Sequence, residues 1–133
     1  MSSLFTKIIN REIPAYIVAE DEHNIAILDI NPLVTGHTLV IPKKEVDNLF
    51  DIDDAAFTRL NLFAKKVATA IESVVPCLRI GVAVIGLEIP HAHIHLVPLN
   101  SMGDLNFSRP KLKLRKEEFE SVSKKISEAF RNL

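Results

Sequence analysis

Three histidines stand at every second position of the run Pro90-His91-Ala92-His93-Ile94-His95-Leu96. Apolar residues flank the run, which predicts a strand, and the two-residue period of a strand directs all three imidazoles to one face. Successive histidines would lie about 6.7 Å apart at Cα, close enough to act together on one phosphate-sized group. Because a free imidazole has a pKa of about 6.5, such a face can combine a neutral nucleophile with a proton donor.

Two other interpretations of the three histidines remain open. One is an ordinary half-exposed strand face, or a core histidine bonded to the backbone, which the strict alternation of three histidines disfavours. The other is zinc, because His-x-His on a strand can bind the metal through neutral ring nitrogens. Residues 90–98 contain no cysteine or acidic residue. Zinc therefore ranks second, and we assign neither a metal nor a cofactor.

Length and composition restrict the class of protein. A chain of 133 residues with 47% hydrophobic and 25% charged residues is expected to form a single globular domain over residues 1–133. Its net charge of -1 gives no long-range attraction for nucleic acid or an anionic membrane, so we expect neither partner. The single Cys77 excludes an internal disulfide and favours the cytoplasm. Neither a signal-peptide pattern nor a membrane-spanning apolar run is visible.

The first elements that must hold the histidine face follow from hydrophobic periodicity. Residues 4–9 have helical spacing ahead of Pro14, which predicts a short helix. Apolar, β-branched stretches then predict a hairpin over residues 16–20 and 24–30, and a third strand over residues 37–41.

The second half of the sequence changes period. Apolar residues three and four apart over residues 51–74 predict a long helix. Residues 79–85 are apolar on both faces, which predicts a strand that is central or covered on both sides. The short connection over residues 86–89 makes that strand an antiparallel neighbour of the histidine strand. With a final amphipathic helix over residues 119–133, the pattern favours an α+β fold with an antiparallel sheet.

Four blocks occur in order along the first hundred residues: Leu4-Phe5-x-Lys7-Ile8-Ile9-x-x-Glu12-Ile13-Pro14, Leu28-Asp29-Ile30-x-Pro32, Gly36-His37-Thr38-Leu39-Val40-Ile41-Pro42-Lys43 and His91-x-His93-x-His95. Together they resemble the histidine triad (HIT) nucleotide-binding family, and four ordered blocks match by chance far less often than one motif. The resemblance implies a HIT-like α+β fold: a five-stranded antiparallel sheet with a long central helix and a C-terminal helix. It also implies that two subunits join their sheets.

The resemblance further implies roles for four histidines. His93 is similar to the nucleophile, His91 and His95 to the residues that flank the phosphorus as N–H donors, and His37 to a supporting histidine on the neighbouring strand. A covalent nucleotidyl-histidine intermediate is chemically reasonable, because it splits hydrolysis at an α-phosphorus into two easier displacements.

Nucleotide contacts are also implied by the resemblance. Asp29 matches the carboxylate that accepts from both ribose hydroxyls, although an Asp that bonds backbone donors in the Asn31-Pro32 turn is the alternative. The apolar slot for the base would be lined by Leu4, Phe5, Ile8, Ile27, Leu28 and Ile30, most of which would be core residues in any case. Lys43 and Lys44 are interpreted as a solvated strand end rather than as phosphate ligands.

The sequence also departs from the family pattern ahead of the triad. Residues 82–90 contain neither the Asn nor the hydroxyl residue that would contact phosphate, so those contacts are not carried over. Glu88 lies near the expected leaving-group position. There a protonated carboxyl could donate to a departing group, whereas an exposed glutamate with no catalytic part is the alternative.

We therefore expect a nucleotide hydrolase or nucleotidyl transferase that uses no cofactor. It would cleave at the α-phosphorus of a purine nucleotide phosphoramidate or a dinucleoside polyphosphate, and would act as a homodimer. Two alternatives stay open. The first is a nucleotide-binding module with little catalysis, and the second is a zinc-binding protein that uses the His-x-His-x-His strand.

Overall fold

A computed structural model describes residues 2–133 and places five antiparallel strands in one sheet, in the order β1-β2-β3-β5-β4. The elements are α1 (Leu4–Ile9), β1 (Ile17–Glu20), β2 (Asn24–Leu28), β3 (Thr38–Pro42), α2 (Asp54–Val74), β4 (Arg79–Ala83), β5 (Ile94–Leu99) and α3 (Lys116–Arg131). Single 3₁₀ turns follow β3 and β5. The expected five-stranded α+β fold, with a long central helix and a C-terminal helix, is confirmed.

The helices begin where local capping chemistry places them. The Ser3 hydroxyl accepts a hydrogen bond from the Thr6 N–H at 3.0 Å and caps α1. The Asp53 carboxylate accepts from the Ala56 N–H at 2.9 Å and caps α2. Each side chain satisfies a backbone donor that the first turn of the helix would otherwise leave unpaired.

The sheet has two different faces, because successive residues of a strand point to opposite sides. In β2, Ala26 and Leu28 belong to the large core shared with α2 and α3. Ile25 and Ile27 belong to a smaller cluster that packs under Phe5 of α1. The face toward α1, which we call the α1 face, is the one that carries the site described below.

Two expectations about the strands are not met within a single chain. The apolar strand β4 lies at the edge of the sheet of one chain rather than in its centre, and its Val82 is 62% exposed. Its connection to β5 covers residues 84–93, so β5 begins only at Ile94. Residues 91–93 instead contact the loop after β3, where the Ala92 N–H donates a hydrogen bond to the Val46 carbonyl at 2.7 Å. Within residues 2–133, no helix has the length and apolar character to cross a membrane.

Candidate functional site

The three triad histidines are buried together on the α1 face. His91 is 0% exposed, His93 7% and His95 8%. The His93 and His95 ring centroids are 4.9 Å apart, and the Phe5 ring meets His93 edge-on at 5.0 Å. His95 is the direct cross-strand partner of Leu39, which faces α1, so it shares that face. The predicted convergence on one face holds, although only His95 belongs to the strand itself.

The His93 ring is oriented by the backbone of the triad segment. Its Nδ1 lies 2.9 Å from the His91 carbonyl oxygen. Because a carbonyl can only accept, this contact assigns the proton of a neutral His93 to Nδ1. Nε2 then carries an unshared electron pair, which is the form an attacking imidazole needs.

A chain of hydrogen bonds assigns the His95 ring in the opposite way. The Leu33 backbone N–H donates to His37 Nδ1 at 3.0 Å, so a neutral His37 carries its proton on Nε2. That Nε2–H donates to His95 Nδ1 at 2.9 Å. The remaining proton of His95 is therefore on Nε2. His95 presents a donor beside the His93 acceptor, and His37 sets this orientation.

Burial keeps the His37 and His95 rings neutral at physiological pH. Desolvation lowers the pKa of His37 to about 3, with a smaller contribution from the charge of His95. Desolvation likewise lowers the pKa of His95 to about 4, assisted by His93. The directions of the two hydrogen bonds from the Leu33 N–H to His37 and from His37 to His95 are thus preserved well below pH 7.

His91 has a position that differs from the one expected. Its Nε2 donates to the Pro42 carbonyl at 2.7 Å, and its Nδ1 lies 2.7 Å from the Ser3 hydroxyl. Both ring nitrogens are therefore bonded to protein groups, and burial lowers the pKa of His91. In this geometry His91 does not offer an N–H to a phosphoryl oxygen, and its contribution to the site is the carbonyl that orients His93.

Asp29 follows β2, and its backbone contact is the one that the turn interpretation predicts. Its Oδ1 accepts from the Asn31 N–H at 2.8 Å, which is the turn contact. Its Oδ2 lies 3.6 Å from His37 Nε2. Burial is the main cause that raises the pKa of Asp29, and the nearby charge of Glu88 adds to it. The ribose role of Asp29 stays a prediction.

The apolar residues expected to line a base slot are separated by the sheet. Phe5, Ile8 and Ile27 pack together on the α1 face. Leu28 faces α2 and α3, because it is one residue further along β2 and must point to the other side. The structure thus assigns Leu28 to the large core instead of the α1 face.

The other expected contacts lie at the surface. Leu4 is 45% exposed and Ile30 is 64% exposed. Glu88 is exposed in the connection between β4 and β5. Lys43 pairs with Glu20 at 2.8 Å, which agrees with its interpretation as a strand-end residue. Leu4, Ile30 and Glu88 are thus free to meet a ligand, and their roles stay predictions.

Phe107 is a site residue that the sequence did not reveal. Its ring lies edge-on 4.8 Å from the His95 ring and 6.1 Å from the His37 ring. The loop that carries Phe107 contacts the connection between β2 and β3 through Arg109, whose Nη2 donates to the Leu33 carbonyl at 2.8 Å. Nothing in the local sequence pattern distinguishes Phe107 from an ordinary loop residue, because the contact depends on how the loop folds back.

Within the part of the chain that the structure describes, Asp29, His37 and His95 have ligand atoms within 4.8 Å of one another, as a metal site requires. This set differs from the His-x-His-x-His ligands considered above. The Leu33 N–H on His37 Nδ1 leaves a proton, not an electron pair, on the nitrogen that faces His95. A metal ion would have to break that contact, so the geometry favours a hydrogen-bonded chain over a zinc site.

Comparisons with known proteins identify the family. The HIT domain matches residues 10–102. An uncharacterized HIT-like protein from Borreliella burgdorferi is 38% identical, over 93% of this chain and 95% of its own length. Adenosine 5'-monophosphoramidase from Schizosaccharomyces pombe is 30% identical, over 96% of this chain and 97% of its own. A hypothetical histidine triad nucleotide-binding protein from Sulfolobus tokodaii superimposes with a TM-score of 0.82 and 34% identity, covering 97% of this chain and 92% of that one. This chain belongs to the HIT family.

Proposed function

We propose that this protein hydrolyses a purine nucleotide conjugate at the α-phosphorus through a nucleotidyl-histidine intermediate on His93. The observation that carries the proposal is the hydrogen bond from His93 Nδ1 to the His91 carbonyl, which leaves Nε2 free to attack. The adjacent His95 supports it, because its Nε2–H is available to a phosphoryl oxygen on which charge accumulates.

The reaction divides into two displacements. In the first, the His93 Nε2 electron pair forms a P–N bond while the bond from phosphorus to the leaving group breaks with its electron pair. The leaving amine or phosphate takes up a proton from solvent as it departs. In the second, water attacks phosphorus, the P–N bond breaks and the electron pair returns to Nε2. The proton lost by the water balances the one taken by the leaving group.

The substrate class is proposed from the chemistry and from the relatives together. The relative from Schizosaccharomyces pombe is named an adenosine 5'-monophosphoramidase. A phosphoramidate suits this displacement, because its nitrogen leaves as a neutral amine once it has taken up a proton from solvent. A dinucleoside polyphosphate is the second substrate class that the same two displacements accommodate. In both cases we propose that Asp29 holds the ribose and that Phe5 and Ile8 approach the base.

Trapping of the intermediate tests the proposal. Protein quenched with alkaline denaturant during turnover of adenosine 5'-phosphoramidate, and kept alkaline because the P–N bond is labile in acid, should carry an adenylyl group, and peptide mass spectrometry should place it on His93. His93→Gln should bind the nucleotide and form no adduct. His23→Gln is the matched control, because His23 is exposed in the β1–β2 turn, and it should behave as the unaltered protein.

The alternatives have distinct outcomes in the same experiment. Hydrolysis without a His93 adduct, or an adduct on another residue, would refute the assigned nucleophile. Nucleotide binding without turnover in the unaltered protein would instead support the binding-module alternative. Stoichiometric zinc in purified protein, with activity lost on chelation, would support the zinc alternative against the hydrogen-bonded chain.

We also propose that the active form is a homodimer joined through β4. Among residues 2–133, β4 pairs with β5 alone and so leaves one edge of the sheet without a partner strand. Exposed apolar residues accompany that edge: Leu78, Val82, Val84, Ile85 and Leu87. An apolar edge strand is a template for pairing with a further strand, and a second copy of this chain supplies one by symmetry.

A further inference from the structure

A second group of polar side chains joins α1 to the triad, outside the set of histidines discussed so far. Glu45 Oε1 accepts from the Ser3 backbone N–H at 2.7 Å and from the Thr6 hydroxyl at 2.7 Å. The Ser3 hydroxyl caps α1 through the Thr6 N–H and also lies 2.7 Å from His91 Nδ1. We call Ser3, Thr6, Glu45 and His91 the α1 clamp.

The hydrogen-bond directions within the α1 clamp follow from its partners. The Pro42 carbonyl can only accept, so a neutral His91 carries its proton on Nε2 and an electron pair on Nδ1. That electron pair accepts the Ser3 hydroxyl proton. Glu45 remains an ionised acceptor, because the Ser3 backbone N–H, followed by the Thr6 hydroxyl, lowers the pKa of Glu45 to about 2. Each donor of the clamp therefore has an acceptor.

The α1 clamp acts on the backbone that orients the nucleophile. The His91 ring is hydrogen-bonded to the Ser3 hydroxyl through Nδ1 and to the Pro42 carbonyl through Nε2. Its position is therefore fixed by two separate segments of the chain. The His91 carbonyl is the group that assigns the proton of His93 to Nδ1. Phe5, two residues after Ser3, packs against the same His93 ring. Movement of Ser3 would therefore change both contacts that orient His93.

We propose that Ser3 and Glu45 are positioning residues for the nucleophile, acting through His91 to keep His93 Nε2 unprotonated and aimed at phosphorus. The proposal rests on the proposed function for its kinetic consequence. Its structural consequence is the tautomer of His93 in the resting protein, which is independent of turnover.

Two variants break the clamp at different points. Ser3→Gly removes the hydroxyl that donates to His91, yet glycine preserves most of the stability of a helix cap. Glu45→Ala removes the acceptor shared by Ser3 and Thr6. Ser3→Thr restores a hydroxyl at the same position. Asp47→Ala is the matched control, because Asp47 is an exposed carboxylate two residues along the same loop.

Nitrogen-15 chemical shifts of the His93 ring, measured without nucleotide, decide whether the clamp sets the tautomer. The unaltered protein, Ser3→Thr and Asp47→Ala should show the Nδ1–H form. Ser3→Gly and Glu45→Ala should show a mixture of Nδ1–H and Nε2–H forms. With adenosine 5'-phosphoramidate, both should lower kcat by about tenfold with little change in KM, because orientation of the attacking group rather than substrate affinity is lost.

The outcomes separate the two proposals. An unchanged His93 tautomer and unchanged kcat in both clamp variants, each shown by circular dichroism to be folded, would overturn the positioning role. Failure of Ser3→Thr to restore the Nδ1–H form would also overturn it. A tautomer change in a protein whose unaltered form makes no His93 adduct would support the α1 clamp and refute the proposed function.

Discussion

The four clustered histidines differ in how many of their ring nitrogens are left for a ligand. His37 and His91 use both nitrogens within the described part of the protein. His93 and His95 each use one, and the nitrogens that remain are an acceptor on His93 and a donor on His95. The difference between the four rings is therefore set by their hydrogen-bond partners, since all four are histidines.

Burial of a neutral histidine gives a prediction for stability against pH. The pKa of His37 is about 3 in the folded protein and about 6.5 when the chain unfolds, so acid protonates the unfolded state first. Stability should fall as the pH drops from 6.5 toward 3, by up to about 1.4 kcal/mol per pH unit for this group. Urea unfolding between pH 7.5 and 4.5 measures the slope.

Replacement of His37 tests the source of that slope. His37→Gln should be less stable at pH 7, yet its stability should vary less with pH than that of the unaltered protein. His23→Gln, at an exposed histidine, should leave the slope unchanged. An equal slope in His37→Gln and in the unaltered protein would assign the acid sensitivity to other groups.

The histidine types and their alternation were sufficient to predict that the three rings share a face, but not the hydrogen-bond partners of each ring. His91, His93 and His95 are equivalent in the sequence, and only their contacts distinguish a bonded ring from a reactive one. Glu45 and Phe107 reach the site from other segments of the chain. Such contacts are absent from any local pattern.

At the scale of elements, the turn before β3 depends on one glycine. Gly36 has a φ of 93°, a conformation that residues with a Cβ rarely adopt. A Cβ there would lie 3.1 Å from a methyl group of Val75 and 3.2 Å from the Pro98 ring. This turn therefore packs against the end of α2 and against β5, and it leads directly into His37.

Substitution of this glycine should disturb both the fold and the site. Gly36→Ala is expected to cost on the order of 1–3 kcal/mol of stability, because alanine is strained at this φ and its Cβ crowds Val75 and Pro98. Displacement of His37 should lower activity as well. Gly103→Ala is the control, since the nearest heavy atom to its Cβ, Ser101 Oγ, is 3.9 Å away. Equal unfolding midpoints for the two variants would contradict the prediction.

Elements with local causes were predictable, whereas those fixed by pairing were not. The apolar period over residues 51–74 is a short-range property, and α2 spans Asp54–Val74. The edge position of β4 was missed because a strand looks the same whether its own helices or a second protein covers it. The late start of β5 was missed because the alternation of residues 91–95 says nothing about which backbone they pair with.

At the scale of the molecule, β4 leaves apolar surface that the described helices do not cover. Val82 on this strand is 62% exposed, and Leu87 in the following connection is 88% exposed. Solvent contact of such a strip is unfavourable, by roughly 25 cal/mol for each Å² of apolar surface. The five strands thus form a sheet whose β4 edge leaves apolar side chains in contact with solvent.

A charge on β4 should separate the proposed dimer. Sedimentation of the unaltered protein should give twice the 14.9 kDa mass of the chain, and Val82→Lys should give the single mass. In the dimer the lysine would place a charge without an ion-pair partner in the buried interface, whereas in the monomer the charge would stay in water. Leu62→Lys is the control, because Leu62 is also 62% exposed but lies on α2. A monomeric unaltered protein would refute the dimer.

The bond between Ser3 and His91 joins residues 88 positions apart. Contacts of such long range form late, because a large loop must first be closed at the expense of chain entropy. Because translation proceeds from the N-terminus, Ser3 is also synthesised well before His91. Until that contact forms, a partly made chain lacks the hydrogen bond that joins α1 to His91.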